Sequence, residues 1–263
     1  MPPGHSGCQA WLTPRVRRLR FEVAYDGTEF HGWQVQPGLP TIQGVLEEVI
    51  GSIEGRPVHV HGSGRTDAGV HALAQVAAVT LENPIPPENF RRAVNRLLPR
   101  SIRVSRICET NPDFHPRFDA RRKTYEYRIF RDEVCSPFDR HFVYHHPYPL
   151  NEAAMIEAAP ILEGEHDFSA FAASDERDEL GASRRRIIFV SACTRTEKIL
   201  LYSVTGSGFL KHMVRNIVGV LLEVGKGNLD CSDLQGRLQP GSGIRPGPAL
   251  PASGLFLISV AYE

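Results

Sequence analysis

"VHVHGSGRTDAGVHALAQVAAVTL", residues 58–81, is the stretch on which the fold turns. Two apolar alternations flank eight residues, Gly62 to Gly69, that are small, hydroxylated or charged. A phosphate-binding loop would need its glycines to open a helix, and a dinucleotide fingerprint would need glycine at the third position of its pattern. Gly62 and Gly64 fit the first two positions, but Asp67 stands at the third and a strand follows. A carboxylate would repel a phosphate there, so the stretch reads as strand, turn, strand, with short strands around Val58 to His61 and Gln75 to Leu81.

Outward from this hairpin, the pattern extends on both sides. "LRFEVAY" puts Leu19, Phe21, Val23 and Tyr25 on one face of a strand. Ile42, Val45, Leu46, Val49, Ile50 and Ile53 follow at helical spacing, with Thr41 placed to cap them. A second helix starts after Pro86-Pro87 and buries Phe90, Val94, Leu97 and Leu98, and a strand covers Ile102 to Ile107. The order is β-α-β-β-α-β. Residues 123–131, "KTYEYRIFR", begin a second copy of that order. Asn151 caps a helix reaching about Glu163, with Pro160 limiting its last turn. Two strands, "RIIFVSACT" and "KILLYSVTGS", precede a helix over 209–224 that ends at Gly225, and "GLFLISVAY" closes the pattern.

The predicted class is therefore α+β: two ferredoxin-like halves, each with helices on one face of an antiparallel sheet. Residues 1–16 read as a disordered lead-in, 17–110 as the first half and 111–263 as the second, with the Pro- and Asn-containing "ETNPDFHPRF" (109–118) at the boundary. Stretches 132–150, 164–185 and 225–253 are poor in pattern, and loops of that length are usually functional or disordered.

Composition excludes several classes. The 263 residues carry 30 basic and 30 acidic side chains, so no global field draws the protein to nucleic acid or membrane. Only Lys123, Lys198, Lys211 and Lys226 are lysines; the other basic residues are arginine, a skew that suits phosphate contacts or reflects genome base composition. Five scattered cysteines form no C-x-x-C pair, which argues against a disulfide framework and a zinc ribbon. No apolar run reaches the roughly 18 residues of a membrane span. The N-terminal "MPPGHSGCQAWLTPRVRR" lacks a signal-peptide core, so the cytoplasm is the expected address.

Asp67 has two readings. It can be a turn-former that bonds its own backbone, or a reactive carboxylate. Three glycines within eight residues favour close approach of backbone and ligand, and Arg65 offers the carboxylate a charge partner. Tyr125 reads first as a half-buried strand aromatic. Arg215 reads first as part of a solvated helix face, yet Met213, Val214, Ile217 and Val218 leave little polar surface around it. Leu255 reads as core. Arg91, Arg92, Arg96, Arg184 to Arg186 and Lys123 read first as solvated charges, with phosphate contacts as the alternative use of such basic runs. His59, His61, His145 and His146 lack the surroundings of a metal site.

These residues carry a family resemblance. "GSGRTDAGVHALAQVA" resembles the signature of the TruA-type tRNA pseudouridine synthases. Further blocks are similar to that family's and stand in its order: "YDGTEFHGWQVQPGLPTIQGVLE" (25–47), "KTYEYRIF" (123–130), "GEHDFSAF" (164–171), "GFLKHMVRNIVG" (208–219) and "PASGLFLISVAYE" (251–263). The resemblance runs from about residue 17 onward. It implies isomerisation of uridine to pseudouridine in the tRNA anticodon stem-loop, at positions 38, 39 and 40, with no cofactor and no metal. By the same resemblance Asp67 is the catalytic carboxylate and Tyr125 stacks on the target base. Arg215 pairs with Asp67 across a cleft between the halves, Leu255 lines the pocket, and Arg65 serves the phosphate or the flipped nucleotide. It also implies a homodimer whose partner subunit helps hold the tRNA. One departure stands out. The family's usual threonine-alanine-proline-alanine run is replaced by "PALPASG", with Ala249 and Leu250 at its first two places, which bears on local pocket polarity.

Two rival functions are consistent with the residues alone. An RNA-binding module could keep the fold without catalysis, and an N-glycosidase could use the same aspartate to release free uracil.

Overall fold

The computed structural model describes residues 16–174, 183–247 and 249–263. All but the last residue of the expected lead-in over 1–16 lies outside the described residues, as does Cys8. Strand β1 (Arg17–Tyr25) buries Leu19, Phe21, Val23 and Tyr25, as its alternation requires. Helix α1 (Ile42–Glu54) starts at Thr41, whose hydroxyl accepts from the Gly44 N–H at 3.2 Å, and ends at Gly55 with φ of 79°. Strand β2 (His61–Gly62) is short, β3 (His71–Leu81) is long, and α2 (Pro87–Leu97) and β4 (Ile102–Thr110) complete the first half.

The second half runs through β5 (Arg122–Phe130), β6 (Tyr144–His145), α3 (Glu152–Ala158), β7 (Gly164–Asp167), β8 (Arg185–Arg195), β9 (Ile199–Gly206), α4 (Met213–Gly225), α5 (Cys231–Arg237) and β10 (Leu255–Ala261). Pro160 sits in a 3-10 turn, Ala159–Leu162, which ends the α3 segment as proline chemistry demands. Helix α4 begins at Met213, four residues later than its apolar spacing predicts. His212 takes a left-handed φ of 60° just before it, so the 209–212 segment cannot continue the helix. Three of the elements in the pattern-poor stretches are short: β6, β7 and α5. The last is set by a capping box, in which Asp230 and Asp233 each accept from the other's backbone N–H.

Among the described residues the architecture is mixed: one ten-stranded sheet with five α-helices. Its order is β4-β1-β3-β10-β5-β9-β8-β7, with β2 paired to β3 and β6 to β5. The sequence reading places a separate antiparallel sheet in each half; instead one sheet runs through both. The junction is a parallel pairing of β10 with β3, Phe256 opposite His71 and Leu257 opposite Ala72. Strand β3 has room for this because β2 occupies only its far end, at Ala77 and Ala78. A single cluster of buried residues likewise spans both halves, from Leu19 and Ile42 to Tyr202 and Leu221. No described helix is long and apolar enough to cross a membrane.

Candidate active site

The chain between β2 and β3 is held by its own carbonyls. The Ser63 carbonyl accepts from Lys123 Nζ at 2.6 Å, and the Gly64 carbonyl from Gln75 Nε2 at 3.0 Å. The Thr66 carbonyl accepts from the Trp33 N–H at 3.1 Å, and the Asp67 carbonyl from the Val70 N–H at 3.2 Å. Gly69 supplies the left-handed φ of 77° that closes this last turn. Asp67 is therefore a turn residue, and the turn fixes where its side chain goes.

Glycine density in this loop has a second cause. A Cβ on Gly62 would lie 2.5 Å from the Trp33 ring, which is almost fully buried. The room that reads as space for a ligand is here filled by indole. Gly62→Ala should cost about 1–3 kcal/mol of stability through this overpacking, read as a lowered urea midpoint with unchanged slope.

The Asp67 carboxylate reaches the first turn of α4. Arg215 Nη1 donates to Asp67 Oδ2 at 3.1 Å, and Arg215 Nε donates to the Leu250 carbonyl at 2.6 Å. The contact to residue 250 is made by backbone, so the Leu250 side chain does not alter the polarity at this bond. His212 Nε2 lies 3.6 Å from the same carboxylate oxygen. Burial lowers the His212 pKa, the Asp67 charge opposes that shift, and Arg215 and Lys211 reinforce it. Arg215 is thus the charged partner of Asp67 and His212 a polar neighbour. Arg65 points elsewhere: it is exposed and its Nε donates to Gln34 Oε1 at 3.2 Å.

A cleft of about 1010 Å³ opens beside this pair and is lined from both halves of the chain. Asp67, Arg65, Tyr125 and Leu255 line it together with Phe209 and Lys123. Tyr125 is 8% exposed and meets Phe209 edge-on, with centroids 5.1 Å apart. Burial, then the nearby Tyr25 and Asp67, push its hydroxyl far above the ordinary tyrosine range. It remains a neutral phenol, a ring with a donor. Of the candidate basic residues only Lys123 faces the cleft; Arg91, Arg92, Arg96 and Arg184 to Arg186 are not among its lining residues. Arg91 is engaged by Glu88 at 2.8 Å and Arg185 by Glu165 at 3.0 Å. Among the described residues no three His, Cys, Asp or Glu side chains converge as metal ligands.

Comparison with known proteins shows the family. A family model described as tRNA pseudouridine synthase matches residues 22–119 and 158–263. The chain belongs to the tRNA pseudouridine synthase family. It is 63% identical over 248 residues to tRNA pseudouridine synthase A of Solibacter usitatus, covering 94% of this chain and 100% of that one. The proteins of the same name from Citrifermentans bemidjiense and Limosilactobacillus fermentum are 41% and 39% identical. Each covers 94% of this chain, with 98% and 97% of their own lengths matched. As a member of this family the protein is an enzyme, an isomerase of uridine in tRNA.

Sequence reasoning missed His212, whose left-handed backbone leaves no periodic signal, and underrated Lys123. Burial, then the charge of Arg117, lowers the Lys123 pKa to about 8. Between pH 8 and the ordinary 10.5 the unfolded chain holds this proton and the folded chain does not, so stability rises with pH through that window. The cleft loses a positive charge over the same range. Affinity for tRNA should therefore fall about tenfold as pH rises through 8, and Lys123→Arg should flatten the profile. Kd measured against pH at constant ionic strength checks this, and a flat wild-type curve would refute it.

Proposed function

We propose that the enzyme converts uridines at positions 38, 39 and 40 of the tRNA anticodon stem-loop to pseudouridine, with Asp67 as the catalytic carboxylate. The observation that carries this is the 3.1 Å bond joining Asp67, on the loop between β2 and β3, to Arg215 of α4 beside the cleft. A pure binding surface has no use for a carboxylate facing RNA, whereas glycosidic-bond isomerisation does. In this reading Arg215, itself braced by the Leu250 carbonyl, aims the carboxylate. Tyr125 supplies a ring for the everted uracil, and Leu255 and Phe209 keep water from the detached base. Arg65, exposed at the cleft wall, contacts the nucleotide's phosphate. The reaction breaks the N1–C1′ bond, rotates the base and forms C5–C1′, with no net redox change or hydrolysis, so its balance requires no cofactor.

The wider assignments follow. Residues 17–110 and 111–263 are two ferredoxin-like units fused edge to edge. With the short β6 and β7 set aside, the strand orders β4-β1-β3-β2 and β10-β5-β9-β8 support this, because each places its own fourth, first, third and second strands in the same sequence. The enzyme works in the cytoplasm as a homodimer whose partner subunit helps hold the tRNA.

The test is direct. The protein is incubated with unmodified tRNA, pseudouridine is mapped by position, and free uracil is assayed in parallel. Pseudouridine confined to positions 38–40 is expected. Modification elsewhere would refute the site choice, free uracil would indicate a glycosidase, and binding with neither product would leave an RNA-binding module.

A further inference from the structure

One wall of the cleft carries a row of rings that the chemistry at Asp67 does not use. His59 meets His61 edge-on at 4.6 Å, His61 meets His115 at 5.2 Å, and His115 tilts against Phe118 at 4.3 Å. The Arg117 guanidinium stands 5.7 Å from the Phe118 centroid. All five residues line the same cleft as Asp67 and Tyr125. The row crosses from the strand that leads into the Asp67 loop to the segment that leads into β5.

The row is pinned, and it is apolar at its open end. His59 Nδ1 lies 2.9 Å from Glu47 Oε1. His115 Nδ1 accepts from the Arg117 and Phe118 backbone N–H groups at 3.1 and 3.4 Å, which fixes the ring and uses up that nitrogen as an acceptor. Phe118 is 73% exposed, a large apolar surface left in water unless something covers it. Burial, then Arg18 and the neighbouring histidines, lowers the His61 pKa to about 4, and burial, then Arg18, also lowers that of His115. Both rings are therefore neutral at physiological pH. Neutral rings make poor phosphate ligands. Among the described residues no three His, Cys, Asp or Glu side chains stand together as metal ligands, these histidines included. The rings do offer π-faces, and unpaired nucleobases of any sequence stack on such faces.

We propose that the His59–His61–His115–Phe118 row is a stacking track for unpaired nucleotides flanking the target uridine, with Phe118 as the outer ring on which a base lies. The proposal rests on the reading of this cleft as the tRNA site, and it assigns lining that the chemistry at Asp67 leaves unused. Arg117 beside Phe118 adds a cation at the same step, suited to the other face of a base or to the following phosphate.

The experiment measures Kd of the full-length protein for a fluorescent anticodon stem-loop RNA across a salt series, with a loop-free duplex of the same stem as control. Phe118 is exposed, so its replacement leaves the core intact. Phe118→Ala should raise Kd for the stem-loop by about 5- to 100-fold, leave the salt slope unchanged, and leave duplex binding unchanged. Phe118→Trp should restore wild-type affinity. His115→Leu, which keeps bulk and loses the imidazole, should weaken the stem-loop in the same selective way. The proposal is overturned if Phe118→Ala binds the stem-loop as wild type does. It is equally overturned if the duplex loses as much as the loop, or if the salt slope becomes shallower by about one, the mark of a lost phosphate contact. Pseudouridine formation by the wild-type protein is scored separately. Selective loss of loop binding without any isomerisation would refute the catalytic reading and leave the stacking track standing.

Discussion

Asp67→Asn should lower the single-turnover rate of pseudouridine formation by about 10⁴-fold or more. Asparagine keeps the shape and removes the charge. Its amide oxygen can still accept from Arg215 Nη1, now 3.1 Å from the carboxylate, so the loop keeps its tie to α4. The backbone bonds at Ser63, Gly64, Thr66 and Asp67 do not involve the side chain at all. Folding should therefore be nearly unchanged, and the loss should appear in the chemical step with tRNA affinity largely kept. A variant rate within tenfold of wild type would remove Asp67 from the catalytic role.

Arg215→Met is expected to have the second largest effect. One guanidinium serves the Asp67 carboxylate and the Leu250 carbonyl together, with its side chain 14% exposed. Methionine fills similar space but donates to neither oxygen. The rate should fall about 10²- to 10³-fold, in line with removal of one aligned donor from a reacting group. Stability should fall by about 1–2 kcal/mol, a modest figure because Asp67 is partly open to water. Arg215→Lys should fall between, since one ammonium cannot make both contacts in the same fork geometry. Chemical denaturation separates the two effects. If Arg215→Met retains a rate within threefold of wild type, the pairing is structural only.

Much of this site was legible in the sequence because its parts sit on strongly patterned elements. Tyr125 and Leu255 are strand residues, and the apolar neighbours of Arg215 marked it as a charge with nowhere to go but inward. The carboxylate's partner lies 148 residues away in the chain. Family resemblance supplied that pairing, and local pattern could not. What escaped reading has physical causes. The β3–β10 pairing joins strands distant in sequence, and parallel neighbours leave no turn signal between them. His212 adopts a left-handed conformation that only glycine advertises. Helix α5 is seven residues long, too short for periodicity, and lies in a stretch that reads as poor in pattern. His115 and Phe118 stood in a stretch that reads as a boundary because it holds proline and asparagine. The glycine at position 62 was over-read, since it accommodates Trp33.

The parallel seam between β3 and β10 also sets an order of events in the cell. During synthesis β3 leaves the ribosome long before the strand that covers its edge at His71 and Ala72. That edge stays open, and Asp67 stays without Arg215, while everything between is made. The cleft closes only when the late strand docks in the middle of the sheet. A chain that stops short of β10 lacks both the seam and the Leu255 side of the cleft.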